Sequence, residues 1–281
     1  CTGCLHCQVY CLHGIDVPRS LEAARTHAYL EGKTLSSVFQ AAERFHRFGN
    51  PLGRRLVPEL RELAPPEWFG RESRVLLFPG AHLIAERPGV LRQLLAVLSA
   101  LGVEAALPRE EILSAGMELL DWGDRAGFAA HAKEVRKLME PYAVVLCPAP
   151  QDAHVLKNRY GEFGQSLGGR VAGCAEFLLE RLEASPLPLK KLDARKVVYH
   201  DPCTLARRLG TIDAPRQLLA RCGVEVGEAP WHGRDANCCG AGGGYADVFP
   251  REATRMAQGR LDECGAPKGI PLATLSPRCE S

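Results

Sequence analysis

The sequence has no long apolar run. Nothing in it approaches the ~20 consecutive apolar positions a membrane-crossing helix needs, so any membrane contact would have to come through a partner. It also has no excess of one charge. Thirty-five Lys and Arg face 33 Asp and Glu, a formal net charge of +2, and no basic stripe interleaved with aromatics gives nucleic acid a footing. No Ser-His-Asp arrangement or carboxylate pair stands out. The run Gly240-Ala241-Gly242-Gly243-Gly244 lacks both the Lys-Ser/Thr of a P-loop and the spacing of a dinucleotide fingerprint, which argues against a phosphate loop. An initiator methionine is missing too. The chain opens on Cys1, which reads as the tail of a longer polypeptide.

Cysteine, by contrast, is abundant: the chain has 12. A chain of 281 residues can bury a full core without disulfides, so metal ligation in a reducing cytoplasm is a better reading than a secreted disulfide scaffold. Two constellations emerge. Cys1, Cys4, Cys7 and Cys11 form a C-x2-C-x2-C-x3-C run, the spacing that wraps three thiolates around one iron–sulfur cube while the fourth reaches a second cluster. Zinc suits this run less well, because zinc knuckles pair C-x2-C with a second, distant pair. The remaining ligands are expected upstream, and Leu12 stands where bacterial ferredoxins usually place Pro.

The second constellation is the adjacent pair Cys238-Cys239, with Cys203 upstream and Cys279 downstream. Neighbouring cysteines cannot easily bridge to each other. They can present two soft donors to one metal, and the glycines that follow let the backbone bend closely around it. The alternative is four buried cysteines acting as small apolar residues. Cys174 and Cys222 read as core residues on helical stripes, and Cys264 as helix-end packing. His6 reads as facing solvent or a redox partner. His200 either orients Cys203 or hydrogen-bonds a sulfur, or makes a plain structural hydrogen bond.

Periodicity places these residues. Helical patterns run from Val17 through Leu30, across Val38, Ala41, Ala42 and Phe45, and from Leu56 to Leu63, with stops at Gly49-Asn50-Pro51 and Pro65-Pro66. Beyond residue 74, short apolar runs at Val75–Phe78, Val103–Leu107 and Ala143–Leu146 alternate with amphipathic helices over 90–101 and 125–139. The order recurs as strand Val197–Tyr199, helix 213–221, strand Val224–Val226, helix 251–264 and strand Ile270–Leu275. Strands alternating with helices imply βαβ units and parallel sheets. The recurrence is an internal repeat. Leu77-Phe78-Pro79-Gly80-Ala81 aligns with His200-Asp201-Pro202-Cys203, Ser114-Ala115-Gly116 with Cys238-Cys239-Gly240, and Cys147-Pro148-Ala149-Pro150 with Ser276-Pro277-Arg278-Cys279.

Cys11 to Pro18, the helices after it and Gly49-Asn50-Pro51-Leu52-Gly53 resemble the helical ferredoxin-like module of electron-transfer oxidoreductases. His200-Asp-Pro-Cys203, Asp213-Ala-Pro-Arg216, Cys238-Cys-Gly-Ala-Gly-Gly-Gly244 and Ser276-Pro-Arg-Cys279 resemble the cysteine-rich CCG domain of heterodisulfide reductase and of glycolate and lactate oxidase iron–sulfur subunits. The resemblance implies an α/β fold: a duplicated parallel-sheet CCG domain preceded by a partial all-α ferredoxin-like module. The segments are 1–70 for the module, 71–190 for a degenerate first repeat and 191–281 for a metal-binding second repeat. In that family five cysteines hold a four-iron cluster, and some members hold zinc or nothing. Here Cys203, Cys238, Cys239 and Cys279 remain, with Ser276 at the fifth position. Ala81, Ser114, Ala115 and Pro150 replace ligands in the first repeat, which is expected to be empty. The implied cofactors are a 4Fe-4S cluster at Cys1, Cys4, Cys7 and Cys11, and a second iron–sulfur cluster or zinc at the CCG site. The implied function is an iron–sulfur electron-transfer subunit of an oxidoreductase in the cytoplasm or peripheral at the inner membrane face. Its partner would be a flavoprotein or other redox subunit, a quinone reached through a membrane partner, or a disulfide acceptor. The alternatives are a zinc-bearing or metal-free scaffold that docks a redox partner, and a heterodisulfide or thiol reductase.

Overall fold

Short runs of Val and Leu flanked by amphipathic stretches pair as strands, since a buried backbone must find hydrogen-bond partners. In this computed structural model, which describes residues 1–187, 189, 196–265 and 269–280, they build two all-parallel sheets. The chain divides into two compact units, one of Arg25–Phe177 and one of Cys1–Ala24 with Leu178–Ser281.

The unit of Arg25–Phe177 holds β1 (Val75–Leu77), β2 (Ala105–Ala106), β3 (Val144–Cys147) and β4 (Arg170–Gly173), in the order β2-β1-β3-β4. Helix Pro88–Ala100 buries Leu91, Leu94, Leu95 and Leu98, the stripe expected from periodicity. Helix Arg125–Met139 starts at Asp124, whose carboxylate accepts the Gly127 amide at 2.9 Å, an N-cap that satisfies a free helix-end donor. Ahead of the sheet, helix Ser36–Phe48 ends at Gly49. Its φ of 66° is left-handed backbone that suits glycine, and its amide bonds the Phe45 carbonyl at 2.7 Å. Asn50, fully buried, then ties the turn by donating to the Phe48 and Arg54 carbonyls. That accounts for the Gly-Asn-Pro stop.

The unit of Cys1–Ala24 with Leu178–Ser281 holds β5 (Lys196–Tyr199), β6 (Glu225–Glu228) and β7 (Leu272–Ala273), in the order β6-β5-β7. This repeats β2-β1-β3, so the duplication expected from sequence is present in the topology. The expected strand over 270–275 pairs only at 272–273, and residues 266–268 just before it lie outside the described residues. Several elements gave no periodic pattern: β4 and helices Ala81–Glu86, Met117–Trp122 and Pro150–Asn158. Most are too short for a stripe to repeat, and β4 offers only Val171 and Ala172 as apolar residues.

Candidate metal centre

β5 ends at Tyr199 and delivers His200-Asp201-Pro202-Cys203 to one point, followed by a π-helical turn over Thr204–Arg208. Asp201 anchors the loop. Its buried carboxylate accepts both terminal nitrogens of Arg216 at 2.8 Å and the Gly233 amide at 2.7 Å. Arg216 also reaches both oxygens of Glu228, at 2.7 and 2.8 Å, and lies over the Tyr199 ring. Two carboxylates, Asp201 foremost, hold its guanidinium charged beyond the ordinary range. This explains the Asp213-Ala-Pro-Arg216 motif: it ties the strand end to the segment that leads into Cys238.

The thiols expected to ligate metal come together. The Cys238 thiol hydrogen-bonds Cys203 and Cys239, and these contacts push it well above the usual thiol range. Cys239 donates to Cys279 with the sulfurs 3.1 Å apart. Cys238 pulls Cys239 down, but Cys279 and burial outweigh it and push it up to about 12. Cys279 lies below the ordinary value, because Cys239 and then the Ser276 hydroxyl donate to it. Ser276 is fully buried at this spot. It thus donates to the Cys279 sulfur from the place where the family pattern has a fifth cysteine.

One member of this group comes from the amino-terminal run. Cys4 hydrogen-bonds Cys238, and that contact together with burial raises it to about 12. The two constellations, separate in sequence, meet here. Cys238 also contacts the Thr2 hydroxyl at 3.4 Å. Arg207 donates to the carbonyls of Cys4, Arg234 and Ala236 at 2.5, 2.8 and 2.7 Å, and Arg208 donates to Gly3 at 2.6 Å. Tyr10 donates to Asp235 at 3.1 Å. A side chain at Gly243 would lie 2.6 Å from the backbone of Thr2, so the glycine run is required for this close approach.

The backbone is shaped to hold thiolates. In each of five cases the amide two residues after a cysteine points at its sulfur: Gly3 to Cys1, His6 to Cys4, His13 to Cys11, Gly240 to Cys238 and Ala241 to Cys239. Cys11 accepts from the amides of Ile15, His13 and Gly14, with Ile15 contributing most, and is pulled below the usual thiol range. Leu5 sits at φ 63°, strained for a branched residue, inside the Cys4–Cys7 turn. N–H···S hydrogen bonds favour the anionic sulfur that soft metals and iron–sulfur clusters bind. The residues present therefore fit such groups. Cys1 and Cys7 are exposed, while Cys4, Cys11, Cys203, Cys238, Cys239 and Cys279 are half-buried.

His200 is almost wholly buried. Burial and then the Arg260 charge lower it to about 4, so the ring is neutral near pH 7. One of its ring nitrogens and the Cys239 and Cys279 sulfurs lie within 4.8 Å of one another. His6, read as facing solvent or a partner, is half-buried with Nε2 enclosed and its ring edge-on to Tyr10. Cys264 is buried behind a helix end, as expected. Cys174 opens a helix and Cys222 closes one. Sequence reasoning passed over Arg207, Arg208 and Arg260. The only hint was an arginine pair four residues after Cys203.

Residues 197–281 match the family model of the cysteine-rich CCG domain. Over this segment the chain is similar to that domain. The whole chain is similar to a probable membrane-anchored ferredoxin of Chromohalobacter salexigens, 32% identical over 99% of this chain and 43% of the relative. It is similar to a component of the dihydromethanophenazine:CoB–CoM heterodisulfide reductase of Methanosarcina mazei, 26% identical over 100% of this chain and 70% of the relative. It is also similar to the EtfAB:quinone oxidoreductase of Syntrophomonas wolfei, 27% identical over 99% of this chain and 42% of the relative. The chain thus spans less than half of two of these relatives.

The equivalent place in the first repeat is filled rather than lined with thiols. Asp152 accepts the Ala115 amide at 2.7 Å and packs against Gly80, where a Cβ would lie 2.6 Å from its oxygen. The Ser114 hydroxyl bonds Glu118 at 3.1 Å and the Gly116 amide at 3.0 Å, and His131 bonds the Ser114 carbonyl at 2.8 Å. Tyr160 donates to the Ala115 carbonyl at 3.0 Å. Cys147 is buried there, and burial above all raises its pKa far above the ordinary range. A buried neutral thiol behaves as a small apolar group.

Proposed function

We propose that the chain is the iron–sulfur electron-transfer part of an oxidoreductase. Cys1, Cys4 and Cys7 would hold a 4Fe-4S cluster, with Cys11 reaching a second one. Cys203, Cys238, Cys239 and Cys279 would hold a further centre in the CCG domain. When bound, such groups supply one-electron exchange at fixed positions. The observation that carries this reading is the contact of Cys4 with Cys238, supported by the arginine clamp of Arg207 and Arg208.

The chain's own residues then have definite tasks. The amides two positions beyond the cysteines orient and stabilise anionic sulfur. Arg207 locks the amino-terminal loop to the loop that leads into Cys238, and Gly243 lets the two backbones touch. The relatives' names mention anchoring to a membrane, a quinone and a heterodisulfide. Among the described residues no helix is long and apolar enough to cross a membrane. A membrane partner on the cytoplasmic side fits the quinone route. Anaerobically prepared protein is expected to contain iron and acid-labile sulfide and to give EPR signals on reduction. Protein with neither would overturn the proposal.

A second reading has one observation in its favour. The grouping of His200 with Cys239 and Cys279 is a nitrogen–sulfur set of the kind zinc accepts. One zinc and no sulfide in the CCG domain would favour the scaffold role.

A further inference from the structure

Arg260 lies on helix Pro250–Glu263 and is 3% exposed. Its Nε donates to His200 Nδ1 at 3.0 Å, and its Nη1 pairs with Glu263 at 2.8 Å. The other Glu263 oxygen accepts from the side chain of Asn237, the residue before Cys238, at 2.6 Å. A chain of hydrogen bonds thus runs from the Cys-Cys loop through Glu263 and Arg260 to His200.

The donor in the last link decides the chemistry of the ring. A guanidinium only donates, so His200 Nδ1 must present its lone pair. A neutral imidazole with an accepting Nδ1 carries its proton on Nε2. That Nε2 is buried and has no hydrogen-bond partner among the described residues. A ring nitrogen of His200 lies within 4.8 Å of the Cys239 and Cys279 sulfurs, and with Nδ1 held by Arg260 the nitrogen available to them is Nε2.

We propose that His200 serves the CCG centre as an N–H···S donor and not as a metal ligand, and that Arg260 is the positioning residue that fixes the donor tautomer. The inference rests on the reading that this centre holds a metal. A donor on a ligating sulfur withdraws electron density and stabilises the more negative, reduced state, so His200 would raise the midpoint potential. The buried charge of Arg260 acts in the same direction.

The test is an EPR-monitored redox titration of the whole protein with its centres loaded anaerobically, comparing wild type with His200→Phe, His200→Gln and Arg260→Met. His200→Phe and Arg260→Met are expected to lower the potential of the CCG centre. His200→Gln, which keeps an N–H donor, should stay nearer wild type. Pulsed EPR of 15N-histidine-labelled wild type should show only the weak coupling of a hydrogen bond. A directly ligated nitrogen overturns the assignment, as does an unchanged potential in His200→Phe with the centre intact; if Arg260→Met fails to fold, the His200 pair still decides. A centre holding zinc sinks the electron-transfer reading but not this one. X-ray absorption of that zinc then judges His200, with all-sulfur ligation supporting the donor role and a nitrogen ligand overturning it. Wild-type protein that takes up no metal overturns both.

Discussion

The two repeats share the strand order β2-β1-β3 and β6-β5-β7 but treat the same place in opposite ways. In the first, Asp152, Glu118, His131 and Tyr160 close it with hydrogen bonds to the Ser114–Gly116 loop. In the second, thiols touch one another, and the polar groups around them point at sulfur or brace the loops. The difference teaches that a loop of this kind without thiols has to find other partners for its polar groups. The loop amides and carbonyls left behind need new partners, because a buried unsatisfied polar group is expensive. The first repeat has those partners, which is why it packs as an ordinary domain.

The contrast can be broken most directly with cysteine substitutions. Cys238→Ser or Cys239→Ser should remove the CCG centre entirely, while Cys147→Ser should leave metal content unchanged; iron, zinc and sulfide analysis of each variant reads the difference. Restoring thiols with Ala81→Cys, Ser114→Cys and Ala115→Cys together should not restore metal, because Asp152 and Tyr160 still occupy the place. Uptake of metal by that variant would show that the packing around it is incidental.

Smaller effects sharpen the same comparison through stability. Asp201→Asn breaks the buried pair with Arg216 and should cost about 3–5 kcal/mol in denaturant unfolding. Asp152→Ala leaves the Ala115 amide unsatisfied and should cost about 1–3 kcal/mol. His131 has its pKa lowered from 6.5, mainly by burial, so its unfolded form binds a proton more readily than its folded form. Its contribution to stability is therefore complete above pH 6.5 and declines as pH falls below it. Thermal unfolding against pH should show that decline, and His131→Phe should flatten it. Tyr160→Phe loses one hydrogen bond to Ala115 and should cost about 1 kcal/mol.

Much of this was legible in the sequence. The Val- and Leu-rich runs and the recurring order marked both sheets, and cysteine spacing marked both constellations. The contact of Cys4 with Cys238 was not legible, because nothing local encodes which loops a fold brings together. Nor was the role of Ser276, since a serine in a ligand's place looks like a loss until its hydroxyl is seen donating to Cys279. The filling of the first repeat was hidden as well. Asp152 and Tyr160 lie outside the aligned motif segments, and only their burial reveals them.

The central claim is that the second repeat alone holds a redox centre, in contact with the amino-terminal run. Iron and acid-labile sulfide content with reduced-state EPR, measured on anaerobically purified protein and on Cys238→Ser, tests it most directly. The account predicts iron, sulfide and a signal from the CCG centre in the wild type, with that signal magnetically coupled to a second cluster and absent in Cys238→Ser. Zinc without sulfide, or an EPR spectrum that Cys238→Ser leaves unchanged, would contradict it.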